Sequence, residues 1–200
     1  MNVKKTSTIA LGLLSTLALA PITSSAATFS GEAAALKANA LGISLALADT
    51  GALPSTGGNL NTSVASVKLL GLVSADTLRS TASGSGTSSQ SQSELQSVSL
   101  LNGLVAADVV KSNSSATCSG STAAVSGNSE IVGLVVAGQS VLVSSPNVAL
   151  SLPGGISVIV NQQTSSPSGN TGSMTVNALH VTGPGIDVVV GSANSDITCP

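Results

Sequence analysis

The chain has 200 residues, 42% of them hydrophobic and only 7% charged, against about 25% charged in an average soluble protein. It has no Trp or Tyr, Phe29 is the sole aromatic, and one His stands beside eight acids. That composition excludes a charge-rich disordered chain, leaves no aromatic platforms for stacking sugars or bases, and supplies few ionisable groups for catalysis.

The N-terminus reads as an export leader. Lys4 and Lys5 form a basic start, Ile9 to Ile22 is an apolar run, and Ser24, Ser25 and Ala26 are small residues of the kind a signal peptidase reads. The expected signal peptide is 1–26, cleaved after Ala26, with Ala27 as the next choice. The apolar run is shorter than the roughly 20 residues that span a bilayer, so no membrane span is expected in the mature form. The remainder, 27–200, has four basic residues against eight acids, a net charge of −4. Nucleic acid and anionic bilayers both call for basic patches, so neither is an expected partner.

Glu32 to Ala40, EAAALKANA, is rich in helix formers and follows Ser30, a possible cap. The next segment, ISLALA, alternates like a strand. Propensity leaves helix and strand both open over 32–40. Leu53-Pro54-Ser55-Thr56-Gly57 matches the pentapeptide that sortases cleave. A working sorting signal also needs an apolar span and a basic tail directly after it, whereas 143 residues follow here. It reads as a Pro-Gly turn.

The chain then repeats itself. Ser66 to Ser80 is SVKLLGLVSADTLRS, and Ser97 to Ser112 is SVSLLNGLVAADVVKS, with ten of fifteen aligned positions identical. A weaker echo, IVGLVVAG, begins at Ile131. Asn102-Gly103 between apolar runs is the strongest short hairpin signal, because a type I′ turn needs positive φ at both central residues. Pairing the strands around it puts Val98, Leu100, Val105 and Ala107 on one face. The earlier copy puts Val67, Leu69, Val73 and Ala75 inward. Thr81 to Gln96, with six Ser and only Ala82 and Leu95 as apolar residues, reads as a mobile Ser-rich loop 81–96. Gln163 to Gly172 reads similarly.

Further short β-branched runs follow. Leu134 to Val143 reads as two strands around Ala137-Gly138. Val148 to Leu152 and Ile156 to Val160 flank Pro153-Gly154-Gly155, and Met174 to Val181 and Ile186 to Val190 flank Gly183-Pro184-Gly185. The predicted fold is all-β: one domain over 27–200 in which antiparallel hairpin repeats pack as a sandwich. A β-solenoid is the alternative, since it also suits a repeat and small core residues. In an exported protein, two cysteines are most simply one disulfide. Cys118–Cys199 would hold the terminal strand against the middle of the domain.

The runs SVSLLNGLVAADVV, IVGLVVAGQSV, NVALSLPGGISVIVNQQ, MTVNALHV and IDVVVGSA resemble the choice-of-anchor P family. The likeness covers roughly Ser30 to Ala193, and its most specific pieces are Val160-Asn161-Gln162-Gln163 and Thr175 to Val181. Family members tend to read LNEQ at the first, so Gln162 stands where a carboxylate is usual. The resemblance implies an exported bacterial protein, β structure and a domain without assigned activity. It supplies no catalytic residue. The family name implies varied C-terminal anchors; the end at Cys199-Pro200 carries none, so loose association with the surface is expected.

Chemistry-bearing residues are sparse. His180 and Asp187 with some Ser would make a hydrolytic triad, but no GxSxG elbow occurs, and His180 in VNALHV reads as a strand residue with a structural hydrogen bond. Asp76 and Asp108 hold the same place in the two repeats. One acid per repeat is far from the six to eight oxygens of a calcium site, so both read as turn residues. His180 is the only imidazole and there is no CxxC, so no metal site is expected. Asn61-Thr62-Ser63 and Asn113-Ser114-Ser115 fit the glycosylation sequon, whose meaning depends on the host. No catalytic, cofactor or metal residue is expected. The functional expectation is a non-enzymatic exported structural or interaction protein, secreted or loosely held at the bacterial surface or in its matrix. Its partners would be wall or matrix components, or further copies of itself. The alternative is a secreted module for a small ligand or glycan.

Overall fold

A computed structural model describes residues 26–40, 42–69 and 71–200; apart from Ala26, the expected leader lies outside them. Two seven-stranded antiparallel sheets pack face to face. The chain enters one sheet with β1 (Thr28–Phe29), β2 (Glu32–Ala40) and β3 (Ile43–Asp49). It crosses to the other and meanders through β4 (Gly58–Leu69), β5 (Val73–Ser85), β6 (Ser88–Leu100), β7 (Val105–Ser119) and β8 (Thr122–Val132), ending in β9 (Val135–Val136) and β10 (Gln139–Ser140). It then returns with β11 (Val148–Leu152), β12 (Ile156–Ser165), β13 (Thr171–Gly183) and β14 (Ile186–Thr198). The first sheet runs β11-β12-β13-β14-β2-β3, with β1 also on β14. The second runs β10-β9-β7-β6-β5-β4, with β8 also on β7. Every pairing is antiparallel. This is the sandwich, and the solenoid alternative falls, because a β-helix stacks its coils in parallel.

The hairpins form where the turn signals stand. Val98, Leu100, Val105 and Ala107 are all buried with Val98 opposite Ala107 and Leu100 opposite Val105. The connection is longer than a two-residue turn. It spans 101–104, and Leu101, Asn102 and Gly103 all have positive φ. The reason is docking between copies. Leu101 N donates to Leu72 O (2.9 Å), Asn102 N to Gly71 O (3.0 Å), and Ala137 N to Leu104 O (2.7 Å). The repeat thus builds a row of stacked turns at one end of the sandwich. The third echo breaks the pattern: Gly133 lies between β8 and β9, both on β7 in one continuous register, and is no hairpin tip.

One open choice is decided and one expectation needs correction. EAAALKANA, open between helix and strand from its sequence, is strand β2. It lies between β14 and β3, and Ala33 to Leu36 are at most 1% exposed; tertiary context overrides a weak propensity. The segment 81–96 is not a loop. It is paired strand on both sides of a tight Gly86-Thr87 turn. Ala82, Ser89, Ser91, Ser93 and Leu95 face inward and are buried. Serine is small enough for an interior position between close sheets, so a count of apolar residues misjudged it. The second expected loop shrinks as well, since β12 reaches Ser165 and β13 begins at Thr171.

One transverse row interrupts each sheet. In the first, Asn161, Ala178, Gly191, Ala35 and Ala48 are skipped by the ladder, though the register on either side is the same. Asn161, Gly191 and Ala48 have positive φ there. In the second sheet Thr77, Ser97 and Gly133 play that part. Across this row the inward alternation slips by one residue. In β5 the buried set changes from Val73 and Ala75 to Leu78, Ser80 and Ala82. Such a slip in one strand alone would turn its core face outward; all strands slip together, so pairing survives.

The row divides the interior. Toward the stacked turns, Leu36, Leu100, Leu179 and several valines form an aliphatic core, which Leu78, Leu95 and Val110 extend just past the row. Toward the other end the core is small and hydroxylic. Ser80, Ser93, Ser112 and Ser129 lie in one inward row. Ser93 and Ser112 share a hydrogen bond of 2.8 Å, as do Ser114 and Ser195 across the sheets. The sheets approach so closely that a methyl on Gly127 would overlap Met174 and Val176. Phe29 closes this end against Gly84, in a second cluster with Ala116, Ala123, Ile197 and Cys199.

The disulfide is present between Cys118, in β7, and Cys199, after β14, with Cα atoms 5.6 Å apart. It joins the two sheets. Cys199→Ser is expected to lower stability by about 2–5 kcal/mol, read from chemical denaturation of variant against parent.

The serine layer gives a second test. The hydroxyls of Ser89 and Ser91 are buried and reach no partner among the described residues. Ser89→Ala or Ser91→Ala should leave the melting temperature unchanged or raise it, since an unsatisfied buried hydroxyl is costly. Ser114→Ala removes a made bond and should cost about 0.5–1.5 kcal/mol. Equal losses at all three positions would refute the distinction.

Candidate functional site

Strands β12 and β13 place Val160 to Gln163 and Thr175 to Val181 side by side. Gln162 lies opposite Asn177, and their side chains meet on the outer face of the sheet. Asn177 Nδ2 donates to Gln162 Oε1 at 2.8 Å. His180 Nδ1 meets the same oxygen at 3.0 Å, and His180 Nε2 lies 3.1 Å from Asp187 Oδ1 at the start of β14. The remainder of the first segment braces the strand. Asn161 sits at the positive-φ row, and Gln163 Nε2 donates to its Oδ1 at 2.9 Å. Asn147, ahead of β11, accepts from Gln163 N at 2.8 Å.

The network has a definite donor balance. Gln162 Oε1 and Asp187 Oδ1 are both acceptors, one at each ring nitrogen. The imidazolium donates to both; a neutral ring has one N–H and donates to one. His180 and Asp187 thus come together as a triad would require. The nucleophile does not join them: among the described residues no serine hydroxyl is hydrogen-bonded to His180, and the nitrogen opposite Asp187 is occupied by Gln162. A triad needs that nucleophile–base contact. Asp187 is the more open of the pair, at 60% against 21%.

The remaining sequence candidates are dispersed. Asp76 and Asp108 lie at the interrupted row of their sheet and face outward, and neither carboxylate makes a side-chain hydrogen bond among the described residues. Asp108 sits over Gly133, where a methyl would overlap its carboxylate. Among the described residues there is no group of three or more His, Cys, Asp or Glu able to hold a metal ion. The Leu53–Gly57 pentapeptide is a turn in the first crossing between the sheets, from β3 to β4. Leu53 is buried, Gly57 N donates to Pro54 O at 2.8 Å, and Ser55 O accepts from Phe29 N at 3.2 Å.

One surface escaped the sequence reading. On the outer face of the second sheet, Thr81, Gln92, Asn113 and Asn128 stand opposite one another across β5 to β8. The next row holds Ser83, Gln90, Ser115 and Ser126. A shallow groove of about 220 Å³ runs among them. On the far side of the first row, Arg79, Glu94, Lys111 and Glu130 alternate in sign across the same strands. The signal was present as a period of two, with Gln and Asn outward and Ser inward, but reading 81–96 as a loop concealed it. A separate groove of about 400 Å³ between the edge strands β3 and β4 is lined by Ile43, Leu45, Leu69 and Leu72, with Lys68 the one charged side chain on it.

The fold and sites define a two-sheet antiparallel sandwich, closed by an inter-sheet disulfide, with polar side-chain arrays on both outer faces. The chain matches no protein-family model, no curated protein and no solved structure.

Gln162→Leu removes the shared acceptor and leaves Asn177 and His180 to water. Stability should fall by about 0.5–1.5 kcal/mol, measured as the shift of a urea midpoint. An unchanged midpoint would mean that the network carries no net energy.

Proposed function

We propose that this protein is a non-enzymatic exported structural or interaction protein of the bacterial cell surface or extracellular matrix. The observation that carries the reading is the Cys118–Cys199 bond between the two sheets, because such bonds persist in oxidising compartments. The leader-like residues 1–26 support the same compartment. His180, the only imidazole in the chain, is engaged by Gln162 and Asp187 and meets no serine among the described residues, which favours a structural role for it. Membership in the choice-of-anchor P family is part of this proposal and rests on the resembling segments. The second reading, a secreted module for a small ligand or glycan, is favoured by the uncharged groove on β5 to β8.

Fractionation of the native host tests the proposal. The protein should appear in the culture fluid or a surface wash, begin at Ala27 or Thr28, and show no alkylatable thiol before reduction. A fluorophosphonate probe for activated serines should not label it. An intact Met1 with two free thiols in the cytosol would overturn the export reading, and a labelled serine would overturn the non-enzymatic one.

A further inference from the structure

The groove on the outer face of β5 to β8 has a chemistry that selects its ligand. Its central row, Thr81, Gln92, Asn113 and Asn128, carries no charge, and neither do Gln90 and Ser115 beside it. Among the described residues none of these six side chains is hydrogen-bonded to another side chain. Asn and Gln each offer two N–H donors and an acceptor oxygen, and the hydroxyls offer both roles. The face therefore presents unspent donors and acceptors side by side. The charged row beside it holds two bases and two acids, so no net field favours an anion or a cation. The array is also periodic. Strands in a sheet lie about 4.7–4.9 Å apart, so similar polar groups recur four times over about 14 Å.

A protein partner fits this face poorly. Interface cores are enriched in aromatic residues, Met and Arg; the two uncharged rows have none, and Arg79 in the charged row beside them is the one such residue near the groove. The face suits a linear, uncharged, hydroxyl-rich chain that repeats its own donors and acceptors. We infer that the groove across β5 to β8 binds a neutral polysaccharide through side-chain hydrogen bonds, without aromatic stacking. The inference rests on the reading of an extracellular interaction protein and names the class of its partner.

Affinity electrophoresis of the folded, disulfide-bonded protein tests it. Native gels would contain dextran, laminarin or hydroxyethyl cellulose as neutral probes and alginate as the anionic one. At least one neutral polymer should retard the protein, and alginate should not do so more strongly. The double variant Gln92→Ala with Asn113→Ala should weaken the retardation about tenfold in affinity, equivalent to about 1.4 kcal/mol. Gln90→Ala with Asn128→Ala should weaken it in the same direction. Ser44→Ala, on the opposite sheet, should leave it unchanged. All these side chains project from an outer face, and an unaltered melting temperature identifies a folded variant. Retardation by no neutral polymer, retardation that survives both double variants, or stronger retardation by alginate would each overturn the inference. A protein found outside the cell that binds none of the polymers defeats this inference alone; a cytosolic, reduced protein defeats the reading beneath it.

Discussion

Strand β14 is bonded along its length to β13 and β2, and at its end to β1. It also lies over β6 and β7 of the opposite sheet, and Cys199 just beyond it is bonded to Cys118 of β7. The first sheet cannot close without this strand, because it alone joins the N-terminal hairpin to the C-terminal meander. The β2–β3 hairpin therefore finds its other sheet neighbour only in the last strand of the chain. Contacts so far apart in sequence carry a large loop-closure cost, and the disulfide removes part of it from the unfolded chain.

The core works under a second constraint, the shortage of bulky side chains. With one Phe and no Trp or Tyr, the interior is filled by Val, Leu, Ala, Ser and Gly. Small residues bury little area each, and stability follows apolar area removed from water. Two devices offset this. The aliphatic side chains are concentrated in one half, where they form a continuous cluster. In the other half the sheets close up over serine and glycine, and the Ser93–Ser112 and Ser114–Ser195 bonds replace part of the missing apolar contact. The interrupted row lies close to the seam, with Leu78, Leu95 and Val110 just beyond it. Thr77, Ser97, Ala48 and Asn161 take a backbone conformation that non-glycine residues rarely adopt; the paired strands on either side hold them there.

The polar residues not used inside are set out in register on the outer faces. On one sheet Gln162, Asn177, His180 and Asp187 bond to one another, which occupies part of their hydrogen-bonding capacity. On the other, the Gln, Asn and Thr side chains are left facing water. The difference separates a brace for the strand edges of β12 and β13 from a surface free to meet a partner. Low charge has a consequence for both faces. A protein with so few ionic groups has little long-range steering, so recognition on either face would rest on short-range hydrogen bonds.

Much of this was legible in the residues themselves. Asn102-Gly103, Pro153-Gly154-Gly155 and Gly183-Pro184-Gly185 mark their turns, since the backbone conformations required there suit few other residues. The alternation of Val98 and Leu100 against Val105 and Ala107 gives the buried face, because the side-chain period of a strand is two. Two cysteines admit one intramolecular pairing. Other features were decided only by the assembled sandwich. EAAALKANA became a strand because β14 and β3 needed a partner of small side chains between them. Ser89, Ser91 and Ser93 became core because the facing sheet came close enough to exclude water from them. The slip of alternation at Thr77 and Gly191 depends on all neighbouring strands slipping together. Local sequence records what one segment prefers; which strand lies beside it, and how near the other sheet comes, are properties of the whole chain.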